Sequence, residues 1–195
     1  MYTSDLSFTP HILSIVSKAK QRSFLIRKSF TSSCCTALIL AFKTYVLPLL
    51  DYCSPIWSPY QVVDILKIES VQRTFTRLLS CCKDLSYKDR LVVCGLITLE
   101  RRRLIADLIL FYKIVNRLIE TDLVNSLILT PNTSTRRHSF KVAFKGARIN
   151  SRLYFFSLRT AEVWNTLPAA VVCSQSVDSF RKGIQSIDFN TFLIL

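Results

Sequence analysis

Residues 98–118 read "TLERRRLIADLILFYKIVNRL", and the fold class turns on what this stretch does. Thr98 stands where a helix N-cap would, and Glu100 places an acid in the first turn, where the helix dipole favours it. The centre is apolar almost all round, so a helix here has to be enclosed by others. Its most apolar run, "LIADLILFYKIV" at 104–115, is too short to cross a bilayer and contains Asp107 and Lys113. The stretch therefore predicts a buried helix, the spine of a mainly α-helical protein.

Composition agrees with that spine. The chain has 195 residues, half of them hydrophobic, with only 3 Gly and 6 Pro to punctuate it. Residues 10–28 predict a basic amphipathic helix with Ile12, Ile15, Val16, Ala19, Ile26 and Phe30 on one side and Lys18, Lys20, Arg22, Arg27 and Lys28 on the rest. A helix over 33–52 is interrupted at Pro48, and the two Ser-Pro steps of "YCSPIWSPY" predict a turn. Over 62–80, Ile65, Ile68, Val71, Phe75, Leu78 and Leu79 keep the helical period, with Glu69 and Arg73 paired on the outer side. A short helix at "DLSYKDRLVVCGL" stops at Gly95. Near the end, "YFFSLRTAEVWNTLP" (154–168) predicts a helix with Phe155, Leu158, Ala161 and Leu167 inward, widened by Phe156, Val163 and Trp164 and ended by Pro168; a last helix covers 177–187. The expected architecture is an irregular helical bundle with a basic loop region at about 130–150, with room for a short strand at 140–144 or a hairpin. It is organised as 1–128 and 129–195, or as one continuous domain.

The net charge of +13 is unevenly spread. Residues 1–50 hold six Lys/Arg against Asp5 alone, and 123–161 hold seven and no acid, whereas the remainder is close to neutral. Two basic patches are the footprint of a polyanion partner. The candidate contacts are Lys18, Lys20, Arg22, Arg27 and Lys28 in the first, and Arg136, Arg137, Lys141, Lys145, Arg148 and Arg152 in the second. A mean hydropathy of +0.30 also leaves room for apolar surface that meets a partner.

Chemistry is sparse. Two-metal nucleotidyl transfer needs clustered carboxylates, and here Asp84, Asp89, Glu100 and Asp107 are scattered through helices. There is no Gly-rich phosphate loop. The 7 Cys include the adjacent pairs Cys34-Cys35 and Cys81-Cys82, which suit neither a zinc site nor a disulfide framework, and the odd number points to a reducing compartment. His11 and His138 are the only histidines. Trp57 and Trp164 read as core rather than stacking platforms. No catalytic residue, metal or cofactor is expected. With no secretory signal and no span, the expected setting is intracellular, in cytoplasm or nucleus, away from membranes.

The blocks "DLSFTPHILSIVSKAKQR", "YVLPLLDYCSPIWSPY", "LKIESVQRTFTRLL", "DLSYKDRL", "GLITLERRRLIADLILFYKIV", "RRHSF" and "YFFSLRTAEVWNTLP" occur in this order across nearly the whole chain. Together they resemble the thumb and post-palm region of jockey-like non-LTR (LINE-type) retrotransposon reverse transcriptases. The resemblance implies a helical clamp on template and primer that binds RNA or DNA largely without regard to sequence. It also implies a partner in the palm and fingers portion of such a polyprotein. The family's aromatic-Ala-Asp-Asp motif and its endonuclease do not occur here, so the chain is expected to be non-catalytic. Arg137 stands where the family commonly has Gly, so nothing carries over to the conformation of that turn. The rival expectations are a domesticated helical protein-interaction module and an expressed relic without selected function.

Overall fold

The computed structural model describes residues 7–30, 34–121, 140–143 and 147–195. It is mainly helical: α1 (Thr9–Ser29), α2 (Cys35–Tyr45), α3 (Leu47–Asp51), α4 (Ser54–Trp57), α5 (Val62–Arg77), α6 (Tyr87–Cys94), α7 (Leu99–Val115), α8 (Asn150–Leu153), α9 (Phe156–Trp164), α10 (Ala169–Val172) and α11 (Val177–Gln185). The chain divides into two compact units, Met1–Arg102 with Leu195, and Arg103–Ile194, so that the division falls inside α7.

In the first unit α1 packs on α5, α3 and α2, and α5 packs on α6. Ile12, Ile15, Val16, Ala19 and Ile26 of α1 turn inward, joined by Phe42, Leu50, Ile68, Val71 and Phe75. The rings of Phe42 and Phe75 stack at 4.3 Å. Chain punctuation follows local chemistry. Pro10 occupies the first turn of α1, and Pro48 the first turn of α3, where the missing N–H costs nothing. Residues 54–57, read as a turn, close instead into the one-turn helix α4, with Pro55 again in the first turn and Cys53 left-handed before it. Ser86 caps α6, and Gly95, at φ +56°, ends it. Thr98 Oγ1 accepts from the Arg101 amide at 3.2 Å, the cap expected of it. At the far end Leu118 N donates to Lys113 O and Arg117 N to Ile114 O, with Arg117 left-handed. This Schellman closure ends α7 at Val115 rather than Leu118.

Glu69 corrects the sequence reading most sharply. It is not on an outer face beside Arg73 but buried, accepting from the Tyr87 hydroxyl and, at 2.9 Å, from the Leu99 amide at the start of α7. Gln72 Nε2 completes the group by donating to Ile97 O at 2.9 Å. Arg73 lies over the Tyr87 ring instead, 4.6 Å from its centroid. Burial, and then the charge of Glu69, raises the Tyr87 phenol above its usual value. A charge can be buried here because donors and a helix N-terminus surround it.

The second unit is built on the rest of α7, whose residues are all buried or half-buried. Trp164 lies fully buried, 5.1 Å from Phe111 and 5.8 Å from Phe180 between ring centroids, while Tyr112 stacks on Phe180 at 4.4 Å. In α9 the inward set is Phe156, Thr160, Ala161, Val163 and Trp164, and Phe155 is the exposed N-cap residue. Ala161 and Leu167 are buried as expected and Leu158 is half-buried; Phe155 alone of the expected set turns out, because it lies outside the helix as its N-cap. Phe30 and Leu78, also expected inside, sit at or just beyond helix ends and are exposed. Asp107 is buried and takes two bonds from Arg159, at 2.9 and 3.1 Å; burial still raises its carboxyl above the usual value. A Cβ on Gly183 would stand 3.1 Å from Val171, so glycine permits the close approach of α11 to α10.

Candidate nucleic-acid interface

Helix geometry sets the first patch. At 100° per residue the buried positions of α1 form one stripe, leaving a broad outer face. Lys18, Lys20, Arg22, Arg27 and Lys28 are all exposed on it. They run in two rows along the flanks of that face. Lys20, Arg27 and Lys28 share a row with Phe24, which is 64% exposed, and Lys18 and Arg22 share the other with Leu25. Arg22 also donates to the Tyr45 carbonyl at the end of α2, at 3.1 Å, which places the exposed Tyr45 beside this row. Sequence reading counted the cations and missed the aromatics. The available signal was Phe24 at a polar position of the helical period, four residues after Lys20 and four before Lys28.

The second patch lies in the other unit. Arg136, Arg137 and Lys145, with His138, lie outside the described residues, as does position 144 of the expected strand. Lys141 is half-buried, and Arg148 and Arg152 are exposed around the one-turn helix α8. Ile149, Tyr154 and Phe155 stand exposed next to them in sequence. Residues 140–143 form no strand and are held by side chains instead. Trp164 Nε1 donates to Phe140 O at 2.8 Å, Asn165 Nδ2 donates to Val142 O at 2.9 Å, and Asn165 Oδ1 accepts from Val142 N at 3.0 Å. The adjacent Trp-Asn pair thus fixes the segment that carries Lys141, with Val142 driven into the core.

The remaining basic residue of that interval, Arg159, is spent on Asp107, and Arg102 on Asp51. Both tryptophans are core: Trp57 is 3% exposed and donates to Tyr52 O at 2.8 Å, with the His11 ring 5.4 Å away. Among the described residues no three His, Cys, Asp or Glu side chains are arranged to hold a metal ion, and no helix is long and apolar enough to cross a membrane. Set against models of protein families, curated proteins and solved structures, the chain has no match.

Proposed function

We propose that this chain is a non-catalytic helical region similar to the thumb and post-palm part of a jockey-like non-LTR retrotransposon reverse transcriptase, and that it binds RNA or DNA through its basic faces. The observation that carries this reading is the outer face of α1, where Lys20, Arg27 and Lys28 surround an exposed Phe24, Lys18 and Arg22 line the other flank, and no acid of the helix intervenes. Cations on a rigid helix contact the phosphate backbone and set register, and aromatic faces accept unstacked bases of any identity. Binding is therefore sequence-tolerant. Arg148 and Arg152 beside Tyr154 and Phe155 supply the same combination in the second unit.

The test is fluorescence anisotropy with labelled single strands and duplexes of one length. Lys20→Gln, Arg27→Gln and Lys28→Gln combined should weaken binding to every sequence alike. A triple variant that binds like the parent would remove the α1 face from the interface.

A second reading has an observation of its own. Val62, Val63 and Leu66 on α5, and Val92 and Val93 on α6, are exposed apolar residues, which suits a protein partner such as the palm and fingers of a parent polymerase. If the chain binds no nucleic acid at low salt, the protein-interaction module or the relic is the better account.

A further inference from the structure

We propose that Cys35 and Cys81 form a dithiol that hydroperoxides oxidise to a disulfide, a modification site independent of nucleic-acid binding. Cys35 opens α2 and is half-buried, hence within reach of a small oxidant. Its sulfur sits among donors: the Cys81 amide at 3.2 Å and the Ser80 hydroxyl at 3.2 Å, both from the 3₁₀ turn Ser80–Cys82. A sulfur held by N–H and O–H groups at a helix start is stabilised as thiolate, the nucleophilic form. Hydrogen bonding, first from the Cys81 thiol and then from Ser80, lowers Cys35 below an ordinary thiol. The Cys81 thiol is solvent-exposed, and desolvation first and its interaction with Cys35 second raise it, so Cys81 keeps its proton while Cys35 ionises.

The string continues inward, with Cys81 and Cys82 sulfurs 3.8 Å apart and Cys82 and Cys94 sulfurs 3.5 Å apart. Both inner thiols are buried, and burial raises both. Proximity alone would favour Cys82 and Cys94; access and thiolate character favour Cys35. The chemistry balances. The Cys35 thiolate attacks the distal oxygen of ROOH, the O–O bond breaks, that OH stays on sulfur as the sulfenic acid, and the leaving alkoxide becomes ROH by taking up the proton the Cys35 thiol released. The Cys81 sulfur then attacks the Cys35 sulfur as it loses its proton, and the sulfenic oxygen departs as water. Two thiols and one hydroperoxide become one disulfide, one alcohol and one water, joining the start of α2 to the turn before α6.

The experiment treats the reduced full chain with limiting hydrogen peroxide, blocks free thiols, and assigns cross-links by fragmentation mass spectrometry, because Cys34 and Cys82 adjoin the two sites. A Cys35–Cys81 disulfide is expected as the first product. Cys35→Ser should slow thiol loss about tenfold or more, and Cys81→Ser should leave Cys35 as a sulfenic acid trapped by dimedone. Both variants are checked for parental circular dichroism, and the trapping readout depends on chemistry rather than stability. First oxidation at the exposed Cys34, Cys53 or Cys173, a Cys82–Cys94 disulfide, or no dimedone on Cys35 in Cys81→Ser would each overturn the proposal.

Discussion

Replacing Trp164 with Ala separates structure from binding more cleanly than any other single change. The indole is fully buried against Phe111 and Phe180, and its Nε1 is bonded to Phe140 O. Truncating a buried aromatic costs roughly 3–5 kcal/mol, the lost transfer energy plus the cavity. The freed Phe140 carbonyl falls within that figure, since one lost hydrogen bond is worth about 1 kcal/mol net. A domain's whole stability is about 5–15 kcal/mol, so the second unit should survive only marginally. At about 4–8 °C per kcal/mol for a unit of this size, melting should fall by about 12–40 °C. Circular dichroism and calorimetry read the shift, and Trp57, in the core of the other unit, remains as a fluorescent control. Nucleic-acid affinity below the new melting point should stay close to parental, because the indole meets no solvent. An unchanged melting point together with lost single-strand affinity would refute this and make Trp164 a stacking platform.

Other outcomes follow from single residues. Gly95→Ala should cost about 1 kcal/mol in denaturant unfolding, because φ +56° strains any Cβ while the nearest atom, Lys43 Nζ at 3.6 Å, leaves ordinary room. Tyr87 gives a pH signature: its phenol is raised in the fold, so above the unfolded value of 10.0 the unfolded chain loses a proton that the folded one keeps. Stability contributed by Tyr87 is then intact below pH 10 and falls as pH rises past it, by about 1.4 kcal/mol per unit. Tyr87→Phe should lower stability at pH 8 yet remove this alkaline slope; an identical slope in both proteins would show that Tyr87 does not titrate differently on unfolding. Arg148→Gln with Arg152→Gln should leave melting within about 0.5 kcal/mol of the parent while weakening binding, and a large loss of stability would place them in the core.

Much of the helical framework was legible because apolar periodicity and cap residues act locally: Ser86, Gly95 and Thr98 do what their chemistry requires. What periodicity could not give was phase at helix ends, where one residue decides the buried face, as at Phe155 and Phe30. Nor could it give long-range polar partners. Glu69 has an Arg four residues on, which resembles a surface pair, yet its partners Tyr87 and Leu99 are 18 and 30 residues away. The Asn165 clamp on Val142 and the Asp107–Arg159 pair are long-range in the same sense. At the candidate interface the cations of α1 were legible as charge in a helical pattern. The exposed Phe24 was not, because attention to the charges passed over an aromatic lying off the inward stripe.

The central claim is that cations on the α1 face bind phosphate, and the salt dependence of binding tests it most directly. Each phosphate contact on a single strand releases about 0.7 counterion, so the five exposed cations of α1 contribute at most about −3.5 to the slope of log K against log salt. Removing Lys20, Arg27 and Lys28 should make that slope shallower by about 2 on the same oligonucleotide. A parental slope near zero, or a triple variant with the parent's slope, would contradict the account.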